Sequence, residues 1–253
     1  MMPVGHDASS VAPDEPPSYD EAMETIQPTI LVLSGQSIHA ESADAPPLYQ
    51  FNRGIASLSL STSEVIMERV ERAVKIGADG QPNIKPRPRH IYNLKHSTAY
   101  LDTLPSYAPP FYISSVSRRT AGHMGLKKSR FRSRWKVCPI DISGKSNDHG
   151  LPQFIKDASP IYEIGHKEDR YEWVDSNSKA VAVEDEGEGQ HRLIVTTPLQ
   201  RKDMDALVAM WCCRLWQFSA EHQGRVNEGM DGVRRKLNLA REAPGGIWGV
   251  YPR

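Results

Sequence analysis

The side chains that most often carry enzyme chemistry are few and scattered in this sequence. The cysteines are Cys138, Cys212 and Cys213, and none of the nine histidines belongs to a His-Glu-x-x-His or Cys-x-x-Cys unit, which are spacings that hold zinc. The Gly144-Lys145-Ser146 run lacks the earlier glycine of a phosphate-binding loop. The sequence therefore predicts no catalytic residue, no metal site and no cofactor. An enzyme with a pocket assembled from distant residues stays a third possibility behind two binding functions.

The sharpest short motif is Pro16-Pro17-Ser18-Tyr19. Two prolines preset a polyproline II conformation that packs against an aromatic groove, and the tyrosine fills a neighbouring pocket. This is the pattern that WW domains bind. We therefore predict that Pro16, Pro17 and Tyr19 recruit a WW-domain partner, such as one of a ubiquitin-ligase system. The alternative is a linker that contains the pattern by chance.

The same pattern recurs twice further along the chain, as Pro46-Pro47-Leu48-Tyr49 and as Pro109-Pro110-Phe111-Tyr112. Both copies lead directly into strand-like runs, where prolines typically end a loop and start a strand. We expect both tyrosines to be packed in the fold rather than offered to a partner.

A second feature is a basic stretch in which cations occupy every second position: Arg130, Arg132, Arg134 and Lys136. If Ser129 to Val137 forms one strand, these four side chains share one face and could hold phosphate oxygens. An anionic lipid or phosphoinositide is the predicted ligand, and nucleic acid is unlikely. The alternative is a solvated face without a ligand.

The first 27 residues contain no lysine or arginine. Their acids are Asp7, Asp14, Glu15, Asp20, Glu21 and Glu24. This acidic arm therefore carries a charge of about −6 and the remainder of the neutral chain about +6. Its Pro, Ser, Asp and Glu content predicts disorder over residues 1–27. The charge split suggests that the acidic arm could fold onto the basic stretch and compete with an anionic ligand.

The elements that must position these residues are mostly short strands. From Thr29 onward, β-type runs alternate with turn residues, and Lys179–Val183 with His191–Thr196 predicts a hairpin around the acidic loop 184–189. Strands at this spacing favour a barrel or a sandwich. Lysine and arginine together equal aspartate and glutamate at 31 each, so the overall charge singles out no partner.

One segment predicts a helix, from Asp203 as N-cap to about Ser219. Its apolar residues cover nearly the whole circumference, which is typical of a helix buried in a core. The expected domain therefore spans residues 28–220 and encloses this core helix, 203–219. Residues 221–253 form an extension with a short basic helix from Met230 to Ala240.

The segment is too short, and the chain elsewhere too polar, to predict a membrane span. The N-terminus lacks the features of a secretory signal. Three cysteines without a framework favour a reducing compartment. We expect a cytoplasmic protein, with peripheral membrane contact if the basic stretch binds lipid.

Four segments carry a resemblance to a known fold: Tyr171–Val174, Ala180–Val183, Leu193–Thr196 and the helix Asp205–Trp216. Together they resemble the tubby C-terminal fold of the LURP-one-related and scramblase-like families, in which a β-barrel wraps an apolar helix. The chain is also similar to fungal proteins with a Pro-Pro-Ser-Tyr arm. The resemblance implies a mainly β, tubby-like barrel around a buried apolar helix, and it favours the lipid ligand for the basic stretch.

Overall fold

The computed structural model describes residues 24–76, 81–97, 104–129, 134–144, 150–168, 170–185 and 189–242, with the side chains of all but 73–76, 82–84 and 223–242. These ranges contain fifteen strands, a short 3₁₀ helix at Ile55–Ser57 and one long helix, α1, at Arg201–Glu242. The strands are β1 (Thr25–Ile26), β2 (Thr29–Ser34), β3 (Ser37–Ala40), β4 (Pro47–Phe51), β5 (Glu64–Ile76), β6 (Pro82–His96), β7 (Phe111–Ser115), β8 (Met124–Lys128), β9 (Arg134–Asp141), β10 (Gln153–Phe154), β11 (Tyr162–Lys167), β12 (Arg170–Asp175), β13 (Ala180–Asp185), β14 (Arg192–Val195) and β15 (Leu199–Gln200).

Twelve of these strands form a closed antiparallel barrel. The order around the ring is β9-β11-β12-β13-β14-β2-β3-β4-β5-β6-β7-β8, and pairing of β8 with β9 closes it. Closure removes the exposed edges that an open sheet would offer to other chains. The predicted mainly β barrel is therefore confirmed, as is the hairpin between β13 and β14.

The first half of α1 fills the barrel. Every residue from 204 to 217 is buried, including Trp211 and Trp216 with no exposed side-chain surface. Burial of such large aromatic side chains contributes strongly to the free energy of folding. The predicted apolar helix enclosed by strands is confirmed, and it leaves the barrel interior occupied by packed side chains.

The bounds of α1 differ from the prediction. The helix begins at Arg201 rather than at Asp203, and it continues to Glu242 instead of ending near Ser219. The separate short helix at Met230–Ala240 is therefore wrong, because this segment belongs to α1. No proline interrupts residues 201–242, and the three glycines in this range lower helix propensity only modestly. A helix of this length is about 63 Å long.

Two other predicted bounds are also corrected. Residues 24–27, which the sequence assigned to the acidic arm, belong to the described fold, because β1 pairs with β15. The strand expected from Ser129 to Val137 is wrong: β8 ends at Lys128, and β9 begins at Arg134 as its antiparallel neighbour. Alternation along a sequence does not distinguish one strand from two strands of a hairpin.

β6 runs through Pro86 and Pro88. The pairing of β6 with β7 begins only at Tyr92, so the prolines lie where one edge of β6 has no neighbour among the described strands. Edge positions tolerate proline because no ladder hydrogen bond is lost there.

No helix in the described ranges combines the length and the apolar character that a membrane crossing requires.

Candidate functional site

The motif Pro16-Pro17-Ser18-Tyr19 lies outside the described residues. The described chain begins five residues after it, at Glu24. The backbone N–H of Arg201 donates to the carbonyl of Glu24 at 2.7 Å. The Arg201 guanidinium also contacts the Glu24 carboxylate, with Nη2 to Oε2 at 2.6 Å. Tyr19 therefore lies five residues before Glu24, which is bound to the first residue of α1.

The second copy of the motif is built into the barrel. Tyr49 lies in β4 and is 2% exposed, and its hydroxyl donates to Oδ1 of Asp205 on α1 at 2.8 Å. Burial and the neighbouring Asp205 raise the pKa of Tyr49 well above its usual value of 10.0. A tyrosine held in this way is not available to the groove of a WW domain, so the structural role expected for this copy is confirmed.

The third copy is also part of the barrel. The carbonyl of Pro109 accepts a hydrogen bond from the Ser97 hydroxyl at 2.7 Å, and Phe111 packs edge-on against Trp216 at 5.4 Å between ring centroids. Tyr112 is half-buried in β7, which pairs on both sides with β6 and β8. A Cβ on Gly125 of β8 would lie 2.5 Å from Cβ of Pro109, so only glycine fits beside this proline.

The basic stretch is only partly described. Arg130 and Arg132 lie outside the described residues, whereas Arg134 is exposed at the start of β9 and Lys136 is half-buried. Nζ of Lys136 lies 2.7 Å from Oε1 of Glu163 on β11. The structure therefore places Arg134 and Lys136 on one strand, and it pairs Lys136 with an acid.

Antiparallel pairing adds two lysines from β8 that the sequence did not single out as ligands. Lys127 lies opposite Lys136, and Lys128 lies opposite Trp135. Both lysines are exposed and line a surface groove with Cys138 and Phe154. Nζ of Lys127 lies 5.1 Å from the centroid of the Phe154 ring, a distance at which a cation is attracted to an aromatic face.

The sequence did not predict the two buried clusters of charge inside the barrel. In the first, the Asp205 cluster, Oδ2 of Asp205 accepts from Nη1 of Arg69 at 2.7 Å. Nη2 of Arg69 also donates to Glu71 at 2.6 Å, and Glu71 accepts from Arg89 at 3.2 Å. Burial raises the pKa of Asp205, although Arg69 and Tyr49 oppose that shift.

The second cluster, the Arg214 cluster, surrounds the guanidinium of Arg214 on α1. Glu184 of β13 accepts two hydrogen bonds from Arg214 and one at 2.7 Å from the indole N–H of Trp173. The guanidinium carbon lies 4.0 Å from the centroid of the Tyr171 ring. Burial lowers the pKa of Arg214 to about 10, which still leaves it charged at neutral pH.

The position of Glu184 corrects the view of residues 184–189 as an acidic loop, because Glu184 is a buried residue of β13. A signal was present in the sequence: Arg214 stands in an apolar helix, and a buried arginine requires an acidic partner. Alternation in β13 then places Glu184 on the same face as the buried Ala182.

The thiols of α1 are packed in the core, as expected. Cys212 and Cys213 have no exposed surface, and burial raises the pKa of both thiols. Within the ranges that the structure describes, no group of three or more His, Cys, Asp or Glu is arranged to hold a metal ion.

No family model matches this chain, and comparisons with curated proteins and with solved structures found no match. The structure shows the barrel around a helix, whereas the resemblance to the tubby C-terminal fold stays a prediction.

Proposed function

We propose that this protein is a non-enzymatic binding or adaptor protein of the cytoplasm that recruits a WW-domain partner, of the kind associated with ubiquitin ligases, through Pro16, Pro17 and Tyr19. One observation carries the proposal. In the copies at 46–49 and 109–112 the tyrosines lie in barrel strands: Tyr49 is buried in β4 and Tyr112 is half-buried in β7. The copy at 16–19 lies outside the described residues and precedes Glu24, which is bound to Arg201.

The packing of the barrel supports recognition at its periphery rather than chemistry inside it. In many barrels the interior holds a ligand. Here the corresponding volume is filled by residues 204–217 of α1. We infer that residues 16–19 recruit the partner and that the barrel serves as the scaffold that carries them.

The experiment compares full-length variants in binding to purified WW domains of the class that prefers Pro-Pro-x-Tyr. Tyr19→Ala should weaken binding about tenfold or more, because truncating an anchor residue of an interface costs about 2 kcal/mol or more. Tyr107→Ala is the matched control, since Tyr107 is an exposed tyrosine outside the motif. Equal binding of wild type and Tyr19→Ala, or no binding of the wild type, would remove the proposal.

A second candidate function is peripheral attachment to an anionic membrane surface through the basic stretch. What supports it is the pairing of β8 with β9, which places Lys127 opposite Lys136 on the face that also carries Arg134. Basic residues near an anionic surface contribute about 1 kcal/mol each, so this set suits a phosphoinositide or another anionic head group.

Its test uses vesicles with and without anionic lipid. Replacing Arg130, Arg132, Arg134 and Lys136 by glutamine should reduce binding to anionic vesicles roughly a hundredfold or more. Replacing four exposed cations elsewhere, Arg53, Arg72, Arg118 and Lys167, gives a variant of equal net charge. Equal losses in the two variants would show that only net charge matters and would dismiss a site on the basic stretch.

A further inference from the structure

The longest strands of the barrel extend past its rim. β4 pairs with β5 as far as Arg69, and the pairing of β7 with β6 begins at Tyr92. Beyond these points β5 and β6 pair only with each other among the described strands, from Val70 opposite Pro88 to Ile76 opposite Pro82. Residues 70–76 and 82–88 thus form a two-stranded ribbon.

One face of the ribbon is mainly cationic. Lys85, Arg87 and Arg89 alternate along β6, so their side chains share a face with Arg69, which lies opposite Arg89. The one acid on this face with a described side chain is Glu71, which lies opposite Arg87 and pairs with Arg69 and Arg89. Arg69 reaches inward to Asp205 on α1. The face that carries Lys85 and Arg87 therefore continues the inner surface of the barrel, and both residues are exposed.

The acidic arm leaves the barrel at this same end. Glu24 is bound to Arg201, the first residue of α1. Arg201 lies close enough to Asp205 for its positive charge to lower the pKa of that residue, and Asp205 is bound to Arg69 at the root of the ribbon. Charged groups thus connect the start of the described chain with the base of the cationic face.

We propose that the acidic arm docks in cis on the inner face of the ribbon. The carboxylates of Asp14, Glu15, Asp20 and Glu21, which flank the Pro-Pro-Ser-Tyr motif, pair with Lys85 and Arg87. Asp20 is four residues from Glu24, a span of up to about 14 Å. The hypothesis from the sequence placed the acidic arm on the basic stretch instead, and the point of attachment favours the ribbon.

The lysines of β8 and β9 suit the acidic arm less well. Lys136 is already paired with Glu163. Met124, at the start of β8, lies with Asp203 around one depression near the beginning of α1. Lys128 is four residues further along β8, about 13 Å towards the opposite end of the barrel.

Docking has a consequence that rests on the proposed function. Acidic residues lie on both sides of Pro16–Tyr19, so a docked acidic arm holds the motif against the ribbon and a WW domain must displace it. Occupation of the ribbon and binding of the partner then compete, which makes recruitment sensitive to salt and to other anions that reach Lys85 and Arg87.

Zero-length cross-linking of the full chain tests the docking without any partner. A carbodiimide joins carboxylates to lysine amines in direct contact, and peptide mass spectrometry identifies the joined residues. At about 20 mM salt, carboxylates of residues 7–21 should join Lys85 at least about threefold more often than Lys127 or Lys128. At about 1 M salt, where the screening length falls to about 3 Å, this excess should disappear.

An equal mixture of ¹⁴N- and ¹⁵N-labelled protein separates links within one chain from links between two. Links between differently labelled copies would assign the ribbon to the acidic arm of a second copy and overturn docking in cis. Links from the acidic arm that favour Lys127, Lys128 or Lys136, that spread evenly, or that are missing would also overturn it.

Affinity for a WW domain gives the second measurement. Lys85→Gln with Arg87→Gln should tighten binding about two- to tenfold, the range expected when two exposed ion pairs stop competing. Lys127→Gln with Lys128→Gln removes the same charge and should leave affinity unchanged. Equal effects of the two double variants would contradict the competition. A wild type that binds no WW domain would remove the proposed function, while the cross-links would still decide the docking.

Discussion

The two buried charges of α1 are held by the barrel in different ways. Arg214 forms a closed pair with Glu184, and both side chains are less than a tenth exposed, at 7% and 6%. Asp205 belongs to a chain of charges that runs through Arg69 to Glu71 and Arg89, whose side chains are 26% and 29% exposed. One cluster is sealed, and the other is connected to solvent.

This difference indicates different roles for the two clusters. Both members of the Glu184–Arg214 pair are less than a tenth exposed, so losing one of them leaves a buried charge unpaired. A chain that reaches solvent can rearrange, because Arg69 keeps Glu71 when Asp205 is changed. The adjustable cluster includes Arg69 and Arg89 at the root of the ribbon, next to the docking face proposed above.

The largest effect is expected for Glu184→Gln. It leaves Arg214 charged and buried without a carboxylate, and breaking one side of a buried ion pair costs about 3 to 5 kcal/mol. The free energy of unfolding, measured by urea denaturation, should fall by that amount. Asp185→Asn is the matched control, because Asp185 lies next in β13 and contacts Arg170 only at 3.8 Å near the surface; it should cost less than about 1 kcal/mol.

A second variant distinguishes an ion pair from simple packing. Replacing both partners, Glu184→Leu with Arg214→Met, removes the unpaired charge but also removes the acceptor of the Trp173 indole N–H. The remaining loss should be about 1 to 3 kcal/mol, the cost of an unsatisfied buried donor. A double variant as unstable as Glu184→Gln alone would show that the sealed pair does not behave as a coupled unit.

The sequence predicted the barrel and its helix better than it predicted these clusters, for a physical reason. Apolar periodicity depends on local burial, so it indicated the buried stretch of α1 and most strands. The partners of a buried charge depend on contacts between distant segments: Glu184 precedes Arg214 by thirty residues, and Arg69 precedes Asp205 by 136. A charge in a strand looks the same in sequence whether it faces water or a helix.

The same reason explains the basic stretch. The alternation of Arg130, Arg132, Arg134 and Lys136 gave no sign that β8 ends at Lys128 and β9 begins at Arg134. The cation opposite Lys136 is therefore Lys127, which comes from the neighbouring strand. The locations of the second and third Pro-Pro-x-Tyr copies were predicted correctly because prolines before β-type runs constrain the backbone locally.

A smaller loss is expected for Asp205→Asn, at about 2 to 3 kcal/mol, below the usual cost of breaking a buried pair because Arg69 keeps Glu71. Thermal and urea denaturation at neutral pH measure it. Asp203→Asn, two residues earlier on α1, is the control and should cost little, since burial already disfavours the charged form and raises the pKa of Asp203. A loss equal to that of Glu184→Gln would remove the distinction between the clusters.

The next effect in size concerns Tyr49→Phe. This change removes only the hydroxyl that donates to Asp205, a hydrogen bond to a charged group worth about 1.5 kcal/mol. Tyr162→Phe is the comparison, because the Tyr162 hydroxyl donates to the neutral carbonyl of Asp203 at 3.2 Å and should matter less. Binding of a WW domain should be unchanged by Tyr49→Phe, and weaker binding would show that this copy of the motif is recognised after all.

The smallest effect is expected for Arg89→Gln, which removes the outermost member of the Asp205 cluster. The pair with Glu71 is partly exposed, so the loss should be about 0.5 kcal/mol at pH 7.

Burial raises the pKa of Glu71, but hydrogen bonds from Arg69 and Arg89 outweigh burial and hold it below 4.5. A depressed carboxyl pKa stabilises the fold above pH 4.5, and this contribution is lost as the pH falls through the folded-state value. The deficit of Arg89→Gln should therefore shrink in acid, whereas Arg72→Gln, which is exposed on the other face of the ribbon, should show none at either pH. A loss of stability that persists in acid would mean that Arg89 acts by packing rather than through its charge. The pairing of Arg89 with Glu71 would then not contribute to the Asp205 cluster.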